Sequence, residues 1–583
     1  MPAKILPRTL PLALATILTL AACGPARHPP ETVADAAATS PVRGGTSAPR
    51  YAAITPAPRI DQAPAPAAPP ALLEARPRAA MKAMQVVGAP MHIASFAPML
   101  PVATNTEHYT HRDANPVQLA SEHPVSTFGL DVDTGSYTNV RRMLDAGQLP
   151  PADAVRAEEF INYFDYGYAP PSDRSQPFSI TTELAPAPWN PRRQLLLIGV
   201  QGYRVPASAI PAANLVFLID TSGSMDEPDK LPLLKASLKQ LVTRLRRQDR
   251  VAIVTYAGDA GVALPSTPGD RHATIDAAID RLGAGGSTNG AAGIDLAYAE
   301  AEQGFIKGGV NRVILATDGD FNVGTVSEEA LKTTIEDHRR SGVALTTLGF
   351  GQGNYNDAMA VMLADAGNGS HHYIDSLAEG RRVLVDELSA TLLTIAKDVK
   401  VQVEFNPAQV KEYRLIGYEK RVLRREDFSN DAVDAGDIGA GANVTALYEI
   451  TPAASAAARI DPLRYARPAD DDSHRGELAF LRLRYKLPGH DRSTLIERPI
   501  AAQPAHGASA RLRFAAAVAA FADRLRGGRY TDGYDYTQIA ALARGARGSD
   551  PDGYRAGFVQ LVSLADGLST HAPDVADDAT AQR

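Results

Sequence analysis

Cysteine is nearly absent: Cys23 is the only one in 583 residues. A single thiol cannot close an intramolecular disulfide, so the fold must rest on its core. Strong charge of either sign is also missing. The formal net charge is -7, which gives no electrostatic footprint for nucleic acid. The apolar run Leu10–Ala22 is too short to span a bilayer as a helix. The chain is otherwise ordinary globular material, 45% hydrophobic and 21% charged, and its length implies several domains.

Lys4 and Arg8 precede the apolar run, which is the layout of a secretory signal peptide. Leu20-Ala21-Ala22-Cys23 resembles the bacterial lipobox. That resemblance implies a signal peptide over 1–22 and a lipidated Cys23 as the first mature residue. By the sorting rule that this resemblance implies, an aspartate after the cysteine would favour the inner membrane, so Gly24 implies the outer membrane, in a cell that has one, and a periplasm-facing protein. Residues 23–105 are rich in Ala and Pro and read as a disordered tether. A flexible chain of this length spans roughly 50 Å on average. The apolar patch MQVVGAPMHIASFAPML interrupts it.

Order is expected from near Pro124. Residues 106–212 read as a small α/β region, with a helix over AVRAEEFINYF (154–164) and strands in FSITTELAPAP and RQLLLIGVQGY. From 213 to 395 strands and helices alternate strictly. The main strands are nearly continuous apolar runs, as in sheets covered on both faces. The helix from Lys230 to Arg247 carries Leu231, Leu234, Leu238, Leu241, Val242 and Leu245 on one face. This pattern predicts a doubly wound, mostly parallel sheet, with VALPST as a short antiparallel edge strand. Residues 396–570 turn to period-two alternation, as in Val399, Val401, Val403 and Phe405. They predict a β-sandwich-like domain closed by two helices, near 511–526 and 552–566. Residues 571–583 read as a flexible tail.

In open α/β sheets ligands sit at the carboxyl ends of the strands. Three polar stretches fall there: Asp220-Thr221-Ser222-Gly223-Ser224, Gly285-Gly286-Ser287-Thr288-Asn289 and Thr317-Asp318-Gly319-Asp320. They offer hydroxyls and carboxylates, with no sulfur or imidazole. That donor set suits a hard cation: Mg²⁺, Mn²⁺ or Ca²⁺.

With these residues the sequence resembles the von Willebrand factor type A (VWA) family. The family's metal-ion-dependent adhesion site reads D-x-S-x-S, then a distant T, then a distant D. Asp220, Ser222 and Ser224 match the first element, Thr288 the second and Asp318 the third. The resemblance implies that Ser222, Ser224 and Thr288 contact the metal. It implies that Asp220 and Asp318 act largely through bound water. A divalent ion among mostly neutral oxygens stays electrophilic, and near-octahedral Mg²⁺ keeps a position for an incoming group. A Glu or Asp from a partner protein would fill it. The whole region past the tether is similar to a group of bacterial VWA-domain lipoproteins with two flanking regions.

Rival chemistries fit less well. A serine nucleophile elbow needs G-x-S-x-G, but Asp220 stands two places before Ser222. His272, His338, His371 and His372 lie in no recognisable triad context. LDVDTGSYT contains one aspartic-protease-like D-T-G, but a second is absent. It reads as a turn before a helix, with Asp133 or Ser136 near the cap. Asp131 and Asp133 do not have EF-hand spacing. Gly349-Phe350-Gly351-Gln352-Gly353 lacks the G-x-G-x-x-G pattern and reads as a structural loop. His371 and His372 are adjacent in a strand, facing opposite sides, which argues against a joint zinc site. Lys235, Lys239, Arg246 and Arg247 read as a solvated helix face. The sequence therefore points to a non-enzymatic, lipid-anchored envelope protein that binds a protein partner through metal, with no nucleotide. The alternative is a structural scaffold or accessory subunit in which the metal stiffens the fold.

Overall fold

The computed structural model describes residues 105–571, apart from 173–174, 288–289, 320–326, 388–392, 462–473 and 505–506. The expected signal peptide, Cys23, the expected tether up to residue 104, Thr288 and the expected tail from residue 572 lie outside the described residues. Among the described residues, no helix is long and apolar enough to cross a membrane.

The flanking regions form one body. Residues before the alternating domain supply β1 (Gln118–Leu119), β2 (Val125–Gly129), helix α1 (Gly135–Asp145), helix α2 (Ala157–Asn162), β3 (Phe178–Ala187) and β4 (Asn190–Gly202). The alternating domain follows as β5 (Ala213–Asp220), α3 (Leu231–Val242), β6 (Arg250–Tyr256), β7 (Ala260–Pro268), α4 (His272–Arg281), α5 (Gly290–Gln303), β8 (Val310–Thr317), α6 (Glu328–His338), β9 (Ala344–Gly349), α7 (Asp357–Ala366), β10 (His371–Tyr373) and α8 (Leu377–Arg381). The remainder supplies β11 (Thr394–Phe405), β12 (Val410–Ile416), β13 (Ile438–Gly439), β14 (Asn443–Pro452), β15 (Glu477–Lys486) and β16 (Ser493–Ala501). It ends in α9 (Ala510–Leu525), α10 (Tyr536–Gly545) and α11 (Tyr554–His571).

One sandwich sheet has the order β1-β12-β14-β4-β3. In the other, β11 lies between β2 and β15, with β16 beyond β15 and short β13 on the start of β11. Both sheets thus mix strands from before and after the alternating domain, which is inserted between β4 and β11. Leu447 pairs with Leu197, and Val401 with Phe128. Period-two alternation explains the packing. Leu196, Ile198, Phe128, Val401, Val403 and Tyr448 point into the sandwich. Their neighbours Leu195, Leu197 and Leu447 face outward, where α1, α2 and the closing helices cover them.

Several boundaries differ from the sequence reading. Helix α2 is shorter than 154–164, because residues 152–154 form a separate 3-10 turn and Val155 is extended. The end is closed by three helices rather than two. The additional one, α10, begins with a reciprocal capping box between Asp535 and Gln538. Asp535→Ala is expected to cost about 1 kcal/mol in a denaturant unfolding curve, with little change elsewhere.

The inserted sheet runs β10-β9-β8-β5-β6-β7, parallel except for β7, which pairs antiparallel with β6 as the VALPST reading expects. Alternate residues of β5 feed two cores. Leu215, Phe217 and Ile219 pack with Leu234, Leu238 and Leu241 of α3. Val216 and Leu218 pack with Ile294, Tyr298 and Leu363 on the other face. Buried ion pairs fix the insert against the flanking helices. Arg141 of α1 pairs with Asp375 at 2.5 Å and Glu379 at 2.9 Å, and Arg156 with Asp357 at 2.5 Å.

Candidate functional site

Asp220, Tyr256, Thr317 and Gly349 are the last residues of four adjacent strands, so their carboxyl ends form one rim. Asp220 is fully buried. Its Oδ1 accepts the Ser222 backbone N–H at 2.8 Å, which turns the chain sharply out of the strand. Its Oδ2 accepts the Tyr256 hydroxyl at 3.1 Å and the Thr317 hydroxyl at 3.4 Å. This turn sets the Ser222 and Ser224 hydroxyls 3.1 Å apart. The Ser224 hydroxyl also lies close enough to Asp318, one residue past β8, to help stabilise its charge. Four of the five predicted site residues are therefore gathered at one rim.

Thr288 lies outside the described residues, but the loop leading to it is tied to this rim. The Gly223 N–H donates to Gly286 O at 3.2 Å, and the Gly285 N–H to Thr221 O at 2.8 Å. Gly319 closes the opposite side with φ +91°, and a Cβ there would lie 2.1 Å from the Asn356 backbone nitrogen. Only glycine meets both demands.

Two further side chains complete the rim. Lys230, 5% exposed at the start of α3, donates to Asp318 Oδ2 at 2.9 Å. Asn354 donates to the same oxygen at 3.0 Å, and its own Oδ1 accepts from Lys230 at 3.0 Å. Sequence reasoning missed both. Asn354 follows the Gly349–Gly353 loop read as merely structural, and Gly351 is where Lys230 packs: a Cβ would lie 2.2 Å from its Cε. The available signal was position, since that loop follows β9 on the rim that carries the site.

The two carboxylates differ electrostatically. Burial pushes Asp220 up to about 6, with only partial relief from the Ser222 hydrogen bonds. Burial also acts to raise Asp318, but the Ser224 hydroxyl, the Asn354 hydrogen bond and the Lys230 ammonium outweigh it and hold Asp318 below the usual carboxylate range. Hydroxyl and carboxylate oxygens beside a buried acid met mainly by dipoles fit a hard divalent cation. Ser222, Ser224, Asp220 and Asp318 are the described residues that would hold it.

The described residues contain another acidic group with metal-like spacing, formed by Asp131, Asp133 and Glu159. Its centre is taken by the Lys420 ammonium, 2.8, 2.6 and 3.2 Å from the three carboxylates. The D-T-G stretch therefore does more than cap a helix. Thr134 takes the N-cap position of α1 without a side-chain capping bond. Asp133 instead accepts the His371 backbone N–H of β10 at 2.8 Å, and Ser136 donates to Ala154 O at 2.6 Å. The two histidines of β10 bond to separate partners. His371 meets Thr347 and Tyr355, each at 3.0 Å, and His372 meets Thr134 at 3.2 Å and Ser370 at 2.9 Å.

Comparison with known proteins matches this architecture in three parts. The family model "von Willebrand factor type A domain" matches residues 214–382. The model "von Willebrand factor" matches 103–197, and "Uncharacterized protein YfbK, C-terminal" matches 390–568. The outer two matches correspond to the halves that fold into one sandwich. Protein YfbK of Escherichia coli (strain K12) is 51% identical over 473 residues, covering 80% of this chain and 82% of that protein. Human inter-alpha-trypsin inhibitor heavy chain H3 is 27% identical over 195 residues, covering 31% and 21% of the two chains. Among solved structures, a von Willebrand factor type A protein from Catenulispora acidiphila matches 64% of this chain and 88% of its own, at 17% identity and TM-score 0.37. A bipartite sandwich around an inserted, mostly parallel sheet, with YfbK-like sequence over most of its length, places this chain in the YfbK family of VWA-domain proteins.

Proposed function

We propose that this protein captures a partner protein through a divalent cation held by Asp220, Ser222, Ser224, Thr288 and Asp318. Its VWA domain is a protein-interaction or scaffold module. The observation that carries the metal-dependent reading is the convergence of Ser222, Ser224 and Asp318 at the ends of β5 and β8. When bound, the cation supplies an electrophilic centre for an acidic side chain of the partner. The protein's own contribution is to aim neutral hydroxyls inward. Asp220 fixes the turn that presents them, and Lys230 and Asn354 fix Asp318. Mg²⁺ suits this donor set, and Mn²⁺ or Ca²⁺ are the other hard ions to compare. The direct test is partner pull-down with and without a chelator, set against Ser222→Ala with Ser224→Ala.

A scaffold role is the second reading. It is favoured by the backbone bonds that tie the 285–286 loop to Thr221 and Gly223, because an ion there would also stiffen the rim. It predicts a large fall in melting temperature on chelation, which the capture reading does not require.

The proposed anchor is a lipid on Cys23 that holds the protein at the envelope, facing the periplasm from the outer membrane. Cys23→Ser is expected to move the protein from the membrane fraction to the soluble one. Retention of the variant in membranes would remove this part of the reading.

A further inference from the structure

We propose that a cavity of about 190 Å³ between the N-terminal segment, β12 and the end of α9 binds a compact oxyanion, a phosphate or carboxylate group, on Arg414. Arg414 projects from β12 and its side chain is only 5% exposed. Its guanidinium lies 3.8 Å from the ring centroid of Tyr530. Among the described residues its Nε has no hydrogen-bond partner and is closed off from the cavity, which leaves the terminal N–H groups to meet a ligand. Its nearest carboxylate oxygen, on Glu449, is 3.9 Å away. That carboxylate is already engaged by the Trp189 indole N–H at 2.7 Å and by Arg459. Burial lowers the Arg414 pKa, as expected for a cation short of compensation.

A buried guanidinium without a hydrogen-bond partner is costly unless a ligand or water completes it. Stacked on an aromatic ring, it keeps its in-plane N–H groups free, and these match the paired oxygens of a carboxylate or phosphate. Four arginines, Arg112, Arg414, Arg526 and Arg529, line the cavity beside four carboxylates, so the anion would rest on the arginines whose charge is not already matched. Arg529 is exposed, with its guanidinium 5.3 Å from the same Tyr530 ring, and Arg112 lies exposed at the cavity wall. The carboxylates that share the wall are mostly committed. Glu419 is paired with Arg526 at 3.2 Å, and Asp153 with His111 at 2.7 Å. Asp523 accepts the Tyr530 N–H at 3.1 Å and the Thr531 hydroxyl at 2.9 Å, and its charge partly offsets that of Arg414. Asp113, 99% exposed, is left to solvent. This cavity is separate from the rim of the inserted sheet and does not depend on the metal reading.

The test is calorimetric titration of the full chain with inorganic phosphate and, separately, acetate, with ionic strength held constant by chloride. Saturable binding of one anion is expected, and the anion that binds more tightly identifies the ligand group. Arg414→Gln should weaken it about tenfold or more. If Arg414→Gln does not fold, Arg112→Gln with Arg529→Gln carries the test, since both residues are exposed, and a several-fold loss is expected. Absence of saturation with either anion, or native-like binding by the variants, overturns the proposal.

Discussion

Chelation of divalent ions is expected to abolish partner capture while the far-UV circular dichroism stays native. The same outcome is expected for Ser222→Ala with Ser224→Ala, even in excess Mg²⁺. The reasoning starts at Asp220, which accepts the Ser222 N–H and so shapes the turn through the backbone. The alanine substitutions leave that bond in place and remove only the two hydroxyls. The fold should survive, because Ser222 and Ser224 contribute nothing to the apolar cores on either side of β5. The ion would lose two neutral oxygen ligands, and Mg²⁺ tolerates incomplete coordination poorly. A loss of at least about 100-fold in partner affinity follows, equivalent to about 2.7 kcal/mol. Restoring Mg²⁺ after chelation should recover capture by the native chain and not by the variant. Capture that persists through both treatments would defeat the metal-dependent reading.

Lys420→Met should produce the largest stability loss. The Lys420 ammonium contacts Asp131, Asp133 and Glu159 within 3.2 Å, with its side chain 2% exposed. Its removal strands three buried carboxylates. Arg421, 3.4 Å from Asp131 and 4.0 Å from Asp133, and Arg156, 2.5 Å from Glu159, compensate them only in part. Breaking a buried ion pair on one side costs about 3–5 kcal/mol. The pH dependence offers an independent check. Burial and the neighbouring Asp131 charge push Asp133 up to about 7 even with Lys420 present. A carboxylate whose folded pKa exceeds its unfolded value takes up its proton preferentially in the folded state. Its stability contribution is complete below the unfolded value and is lost as pH rises through the folded one. The Lys420→Met deficit should therefore be largest above pH 7 and narrow toward pH 4. Urea unfolding at several pH values measures this. A deficit independent of pH would mean that the cluster is not the cause.

The inserted domain was largely legible in the sequence because its signals are local. Runs such as LVFLI are buried on both faces, and the α3 leucines recur at helical spacing, so neither needs a distant partner to be recognised. Asp220, Ser222 and Ser224 were legible for the same reason: they sit within five residues at a strand end. Lys230 and Asn354 were not. They reach Asp318 across 88 and 36 residues, and no periodicity encodes that contact. The sandwich shows the same limit. The apolar run Leu195 to Val200 reads as strand, but it does not say that its partner β14 begins beyond residue 440. Helix α10 was missed because its buried face includes Ala540 and Ala543, small residues that give a weak apolar signal.

The place of the inserted domain has a mechanical consequence. Its two chain connections run to β4 and β11, which belong to different sheets. Strand β4 is hydrogen-bonded between β14 and β3, and β11 between β2 and β15. A pull applied to the inserted domain therefore enters the sandwich at two interior strands. Neither can peel away from an open edge, so the load divides between two sheets before either yields. The fold is arranged as a handle embedded at both ends.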